Sequence, residues 1–155
     1  MRKIVILSGF ILFFIVGAFA FSADSLLTQA RILVNQDRIG EAALLYEKIL
    51  AQDSANYESY AFLGNYHYLL GKSSLEKAET MFKGIAQPNR MQVARYQDEL
   101  KRIYRADYEK ADRYLLKALT IQKNDHLKKL VGTIQLFKEK IGLDDVGTRK
   151  MKGIK

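Results

Sequence analysis

Residues 60–88 read YAFLGNYHYLLGKSSLEKAETMFKGIAQP, and they contain the most regular pattern in the chain. The residues that set this pattern are Tyr60, Leu63, Gly64, His67, Ala78, Phe82 and Pro88. Small residues such as Gly64 and Ala78 allow two helices to approach closely, and large residues such as Phe82 fill the space opposite. The helical spacing in both halves predicts two paired α-helices, separated by a break over residues 71–74.

A similar pattern recurs on both sides of this stretch. Ala30 precedes Gly64 by 34 residues. Ala42 precedes Ala78 by 36 residues, and Ala111 follows it by 33. A single helix pair cannot bury its apolar face, so repeated pairs are expected to stack and share one core. The sequence therefore predicts about three helix pairs of similar length.

The pattern resembles the tetratricopeptide repeat (TPR), in which Trp-x2-Leu-Gly-x2-Tyr is followed by Ala-x3-Phe and then Pro. Tyr60 stands here in place of the Trp, and His67 in place of the Tyr. The third unit departs further, because Gln97 or Glu99 falls where a small residue is expected, and its register stays open. The resemblance implies an αα-hairpin solenoid of about three TPR-like units, with a C-terminal capping helix that begins near Asp125.

Helical periodicity extends over residues 24–143 and no stretch alternates like a β-strand, so we predict an all-α fold. Turn signals divide this region into seven helices, with breaks at residues 37–40, 53–56, 71–74, 87–89, 105–107 and 123–125. Capping residues stand at three of the predicted starts, namely Asn56 or Ser54, Ser73 with Glu76, and Asn124 or Asp125. Because residues 105–107 lack Gly and Pro, the alternative is that the fifth and sixth helices form one bent helix.

The N-terminus has the features of a secretory signal peptide. Arg2 and Lys3 precede an uncharged run over residues 4–23, and Ala18 and Ala20 frame an A-x-A cleavage site. The alternative is an uncleaved anchor helix, since about twenty uncharged residues can just cross ~30 Å of hydrocarbon. In both cases the rest of the chain is exported. We therefore expect a periplasmic protein, or one anchored in the inner membrane and facing outward.

The predicted organisation is a leader at residues 1–20, a TPR-like helical domain at 24–141 and a flexible basic tail at 142–155. The chain has 25 Lys and Arg against 17 Asp and Glu, a formal net charge of +8, of which the leader holds two. It contains no Cys, which excludes a disulfide scaffold, a zinc ribbon and a thiol enzyme. With 48% hydrophobic residues the chain is also too apolar for a disordered protein.

No motif in the sequence predicts catalysis, a cofactor or a metal. Gly71, Lys72 and Ser73 resemble the end of a phosphate-binding loop, but Tyr66 replaces the earlier glycine of that loop and no strand precedes it. His67 occupies a position that the repeat family uses for packing. We therefore expect a protein that is not an enzyme and that holds no cofactor and no metal.

The resemblance also implies where a partner would bind, because the first helix of each TPR pair lines a concave groove. The candidate partner-binding residues that it turns toward this groove are Arg31, Asn35, Asn65, Tyr68 and Tyr96. Tyr and Arg often supply concentrated binding energy at protein interfaces. Family members that clamp a C-terminal carboxylate have a basic residue four positions before the asparagine, whereas this chain has Ala61 there. We thus expect a scaffold that binds another envelope protein, rather than a chaperone-tail adaptor.

The basic charge supports an alternative function, in which the protein binds an acidic ligand or makes peripheral contact with an anionic membrane surface. The basic residues of the tail would take part, namely Arg149, Lys150, Lys152 and Lys155. Steep weakening by salt would identify this electrostatic mode. An unrecognised hydrolase is a third hypothesis, and export disfavours nucleic acid as a partner.

Overall fold

The computed structural model of the chain describes residues 22–143. The elements in chain order are α1 (Ala23–Asn35), α2 (Ile39–Gln52), α3 (Tyr57–Lys83), α4 (Arg90–Ile103), a π-helical segment (Tyr104–Tyr108), α5 (Glu109–Ile121) and α6 (Asp125–Lys140). Within this described part of the chain there is no strand, so the predicted all-α class is confirmed.

Several predicted helix boundaries are confirmed, and three have an asparagine as N-cap. The Asn56 side chain accepts a hydrogen bond from the Ser59 amide at 3.0 Å. At the start of α6, the Asn124 side chain accepts one from the Leu127 amide at 3.1 Å. Such caps satisfy amide groups that have no partner within the helix. The turn between α1 and α2 contains Asp37, whose positive φ of 59° reverses the chain over only three residues.

The predicted break at residues 71–74 is wrong. Helix α3 runs without interruption for 27 residues, so Ser73 lies inside it and caps nothing. Gly71 is buried against Tyr108, and a Cβ added at Gly71 would lie 3.0 Å from the Tyr108 ring. This glycine therefore makes room for a neighbouring ring within a helix instead of ending one. The seven predicted helices are accordingly too many.

At the predicted break over residues 105–107 the structure has a π-helical segment. The π-helical segment joins α4 and α5 directly, so residues 90–121 form one continuous helical run. The alternative of a single helix across residues 105–107 therefore fits better than the predicted break. A π turn inserts an extra residue into an α-helix and changes which face its following residues present.

The pairing of helices also differs from the prediction. Gly64 on α3 contacts Leu115 on α5, and α3 packs extensively against α5 and the π-helical segment. Ala78 and Phe82, which were predicted to lie on the helix paired with Gly64, instead lie further along the same helix. The helix that pairs with Gly64 is thus supplied from much later in the chain, and the residues between form an additional hairpin.

Two clusters of buried side chains hold these helices together. The N-terminal cluster comes from α1, α2 and the first part of α3, with Leu26, Ala30, Ala42, Ala43, Tyr46, Ile49 and Leu63. The C-terminal cluster comes from α4 to α6, with Leu100, Ile103, Tyr104, Tyr108, Ala111, Leu115, Ala118, Leu127, Val131, Ile134 and Ile141. Helix α3 contacts both clusters, and so does α5, whose Tyr114 packs against the N-terminal cluster. These two helices link the two halves of the described chain.

The predicted leader at residues 1–20 lies outside the described residues, as does the predicted basic tail from residue 144 onward. Among the helices of residues 22–143, none is sufficiently long and apolar to cross a membrane.

Candidate functional site

The second half of α3 and the whole of α4 form a helical hairpin, residues 72–103, that is joined by a short connection containing Pro88. The ring of Phe82 stacks on that of Tyr96, with centroids 4.2 Å apart and planes inclined by 6°. A capping box fixes the start of α4, because Asn89 and Gln92 each accept a hydrogen bond at 2.9 Å from the backbone amide of the other. These contacts hold the two arms of the hairpin in one register.

An open groove runs between the two arms of this hairpin. Its volume is about 400 Å³. The lining residues are Ser74, Lys77, Ala78, Met81, Phe82, Ile85, Arg95, Tyr96, Glu99 and Arg102. We refer to this feature as the hairpin groove. Its floor is apolar and its edges carry charged side chains, which is the usual composition of a site for an amphipathic partner.

The positive charges at the edges of the groove differ in their pairing. Arg102 donates two hydrogen bonds to Glu99, at 2.7 and 2.6 Å, and these bonds lower the pKa of the Glu99 carboxyl. Lys77 and Arg95 form no ion pair with any residue in the described range 22–143. Two cations, one from each arm, are therefore available to a ligand in the groove.

Large apolar side chains are exposed around the distal end of the hairpin. Met81 is 77% exposed and Met91 is 62% exposed. Val93 also faces solvent on α4. Single exposed apolar residues are ordinary on protein surfaces, but a group beside an apolar groove marks an interaction surface.

Of the five sequence-predicted binding residues, only Tyr96 lines the hairpin groove. The other four lie on α1 and on the first half of α3, and each of their described contacts is within the protein. Arg31 forms a bidentate ion pair with Glu58, which also accepts a hydrogen bond from the Tyr46 hydroxyl at 3.0 Å. Arg31 is thus occupied in joining α1 to α3.

The other three predicted binding residues outside the groove, Asn65, Tyr68 and Asn35, do not contact one another in the described interactions. The Asn65 side-chain amide donates to the Ala61 carbonyl at 2.8 Å, within the same helix. Tyr68 packs edge-on against Tyr108, with ring centroids 5.8 Å apart. Asn35 is exposed at the end of α1. The structure therefore does not gather Arg31, Asn35, Asn65, Tyr68 and Tyr96 into one contact cluster.

Sequence reasoning missed Met81, Phe82 and Ile85 as groove residues. It assigned Phe82 to the packing of a repeat, because the alanine four residues earlier matched the family pattern. The signal that could have identified the groove is a helical apolar stripe on residues 78–85, flanked by Lys77 on the same arm and by Arg95 on the adjoining arm.

The most unusual polar group lies in the protein interior. His67 is buried, and its ring stacks on that of Tyr114 with centroids 5.8 Å apart. Its Nδ1 has no hydrogen-bond partner among the described residues, and it lies 3.8 Å from Asp107 Oδ1, which is too long for a hydrogen bond. Burial, and then Lys110, lower the pKa of His67, although Asp107 and Glu47 act in the opposite direction. The imidazole is therefore held mainly neutral.

Metal binding finds no support in the described residues, because no group of three or more potential ligand side chains occurs among them. A buried carboxylate oxygen of Asp112 lacks a hydrogen-bond partner within residues 22–143, and burial raises the pKa of this carboxyl.

Comparison with the models of known protein families finds no match for this sequence, and comparison with curated proteins finds none either. The chain is similar to a protein of known crystal structure from Bacteroides ovatus ATCC 8483, described provisionally as a protein binding protein. The two share 31% sequence identity and superpose with a TM-score of 0.74. The similarity covers 78% of this chain and 59% of that protein, so this chain spans less than two thirds of its length. The fold described above thus occurs in a protein that carries a protein-binding description.

Proposed function

We propose that this protein is a non-enzymatic scaffold of the cell envelope that binds another protein through the hairpin groove. The open apolar groove between α3 and α4 is the observation that carries this proposal. The exposed Met81 and Met91 beside it enlarge the apolar surface, and methionine side chains adapt readily to a partner. The protein-binding description of the Bacteroides ovatus protein supports the same class of function.

The hairpin groove is better suited to a partner than the surface predicted from the TPR resemblance. Arg31 is committed to Glu58, and Tyr68 is packed on Tyr108. A partner that used these side chains would first have to break contacts within the protein, and this requirement lowers affinity. The proposal therefore keeps the predicted role and the TPR-like origin of the helices, and it moves the binding surface to the additional hairpin.

The proposal includes a location in the cell envelope. The positively charged start, the apolar run and the A-x-A sequence of the first 23 residues support export. A helical protein without Cys is compatible with an oxidising compartment, since it has no thiol to oxidise. The partner is accordingly an envelope protein.

A second candidate function is binding to an anionic surface, and the net charge of +8 favours it. This mode needs no apolar groove, whereas the scaffold does. The two functions predict different responses to salt, because contacts between exposed charges are screened over about 8 Å at physiological ionic strength.

Site-specific photocrosslinking in intact cells tests the proposal. A photoreactive residue at Met81 is expected to give a discrete crosslinked protein. The matched control is a photoreactive residue at Leu44 on α2, which is 60% exposed and remote from the groove in sequence. Crosslinks from Asn65 but not from Met81 would instead place the partner on the predicted α1 and α3 surface, and no crosslink from any of the three positions would refute the scaffold function.

A further inference from the structure

We propose that the hairpin groove binds an amphipathic helix of the partner protein, with acidic residues on both flanks of its apolar stripe. This inference rests on the proposed function and adds the chemistry of the partner. The floor, the edges and the register of the groove each point to this occupant.

The floor of the groove has the shape and composition of a site for a third helix. It is lined by apolar side chains from two antiparallel arms, namely Ala78, Met81, Phe82, Ile85 and Tyr96. Two helices that leave an apolar seam exposed between them can accept a third helix, which inserts its own apolar side chains into that seam. The groove is open to solvent rather than enclosed, so it can admit a row of side chains from a partner.

The edges of the groove favour a negatively charged occupant. The hairpin contains seven Lys and Arg but only four Asp and Glu. Three of its acidic residues are already paired with cations of the hairpin, namely Glu76 with Lys72, Glu79 with Lys83 and Glu99 with Arg102. Lys77 and Arg95 therefore keep an uncompensated positive charge on opposite arms of the groove.

The register of the hairpin sets the spacing of the complementary charges. Because Tyr96 stacks on Phe82, Arg95 lies near the level of Phe82 along the hairpin. Lys77 precedes Phe82 by five residues on α3, which is about 7.5 Å along the helix axis. In a partner helix, residues at heptad position g and at the following position e are also five apart, and they flank the apolar stripe on opposite sides. Glutamates at such positions would meet both cations.

Two possible occupants from this chain, a second copy and its apolar N-terminal run, lack this character. A second copy carries the same net charge of +8 and presents the same cationic edges. The apolar run at residues 4–23 contains no acidic residue, so it could fill the floor but not satisfy Lys77 and Arg95. Charge complementarity therefore favours a segment of a different protein.

Designed peptides provide the probe. The test peptide is a helix of about three heptads, with Leu and Ile at positions a and d and Glu at positions e and g. Its matched control has the same apolar stripe and Lys at positions e and g. The protein is purified in the form that the cells produce, and binding is measured by fluorescence anisotropy. We expect the acidic peptide to bind about tenfold more tightly than the basic one, which is within the range that two exposed ion pairs supply.

Charge reversal locates the effect. The double substitution Lys77→Glu and Arg95→Glu is expected to reverse the preference, so that the basic peptide binds better. The control is Arg113→Glu with Lys128→Glu, which changes the net charge equally at exposed cations outside the groove. This control is expected to keep the preference for the acidic peptide. Circular dichroism of each variant confirms that the helices are retained.

Four outcomes would overturn the inference. One is equal binding of both peptides, and another is a preference that survives the double substitution in the groove. The third is binding to vesicles of anionic phospholipid that depends on Lys77 and Arg95, in the absence of binding to the acidic peptide, which would make the groove a membrane contact. A crosslinked partner at Met81 whose contacting segment is not acidic would also contradict the inference, while leaving the proposed scaffold function intact.

Discussion

Gly64 on α3 lies so close to Leu115 on α5 that a Cβ added at Gly64 would be 2.6 Å from Leu115 Cδ2 and 3.2 Å from the Leu115 backbone nitrogen. Both residues are fully buried or nearly so. A side chain at Gly64 would therefore force Leu115 and its helix to shift. Gly64 therefore determines how closely the two central helices approach each other.

The substitution Gly64→Ala is expected to lower the free energy of unfolding by about 1 to 3 kcal/mol, the usual range for overpacking in a well-packed core. Denaturant unfolding followed by circular dichroism measures this change. The control is Gly132→Ala on α6, where an added Cβ meets no atom within 4 Å. Gly132→Ala should raise stability by up to ~1 kcal/mol, because alanine favours a helix over glycine. Equal effects of the two substitutions would show that Gly64 is not at a helix contact.

The substitution Gly71→Ala is expected to have an effect between these two. Its Cβ would lie 3.0 Å from the ring of Tyr108, which can move more easily than backbone atoms. The helix gains from the alanine while the packing of the ring is disturbed, so the two contributions partly cancel. The ranking of the three variants in denaturant midpoint is the measurement. If Gly71→Ala lowered the denaturant midpoint as much as Gly64→Ala, the Tyr108 ring would not be able to move aside.

Most helix starts could be predicted because an Asn cap acts locally. Asn56 and Asn124 bond to amides only three residues away, and that spacing is visible in the sequence. The run from Gly71 to Ser74 shows the limit of this reasoning. A glycine followed by a serine can end a helix and cap the next, or it can admit a ring from elsewhere within one continuous helix. Only the presence of Tyr108, which lies 37 positions later, decides between them.

The hairpin groove could not be predicted either, because it also depends on contacts between residues that are far apart in the sequence. The interval between Gly64 and Ala78 matches the repeat family, and it predicts that these two residues lie on paired helices. The partner helix contains Leu115, and the hairpin between the two contact residues also keeps helical periodicity. Local spacing cannot reveal which of two later helices supplies the contact. The sequence therefore predicts that Phe82 packs between paired helices, whereas the structure places it in the hairpin groove.

Helix α6 provides a test of whether the C-terminal helix belongs to the core. Ile134 is fully buried, whereas Leu136 on the same helix is 68% exposed. Ile134→Ala should lower the free energy of unfolding by about 2 to 5 kcal/mol, because it removes buried methyl groups and leaves a cavity. Leu136→Ala should change it by less than about 0.5 kcal/mol, as is usual for a surface site. Denaturant unfolding compares the two, and equal small effects would mean that α6 is not part of a shared core.

The buried His67 is expected to make stability fall as the pH is lowered. Its pKa in the folded protein is lowered by burial, while the unfolded chain has the ordinary value of about 6.5. Between these two values the unfolded chain binds more protons, so the free energy of unfolding decreases with falling pH. The contribution is complete above about pH 6.5 and is lost as the pH falls toward the lower folded-state pKa.

Unfolding at about pH 7.5 and pH 5.5 measures this dependence across the ordinary histidine pKa. His67→Gln should show a smaller difference between the two pH values than the unmodified protein. His126→Gln removes an exposed histidine and should leave the difference unchanged. If both variants keep the full difference, another group titrates in this range and the assignment to His67 is wrong.

The capping box of α4 predicts a local effect in the hairpin. Asn89→Ala removes the acceptor of the Gln92 amide and should cost about 1 kcal/mol of helix stability. Hydrogen exchange should therefore accelerate in the first turn of α4, since its amides lose their cap, while exchange in α2 stays unchanged. Uniform acceleration across both helices would instead show that the hairpin unfolds together with the rest of the protein.

Helix α3 connects the hairpin groove to the N-terminal cluster as one uninterrupted helix. Leu63 in the N-terminal cluster and Met81 at the hairpin groove stand on one uninterrupted helix, about 27 Å apart at 1.5 Å per residue. An α-helix transmits a sideways displacement along its length because its hydrogen bonds resist bending, and the pivot here is the tight contact at Gly64 and Gly71. A partner that pulls on the groove therefore exerts torque on the packing between α3 and α5. Force applied to the hairpin would therefore reach the core through the close contacts at Gly64 and Gly71.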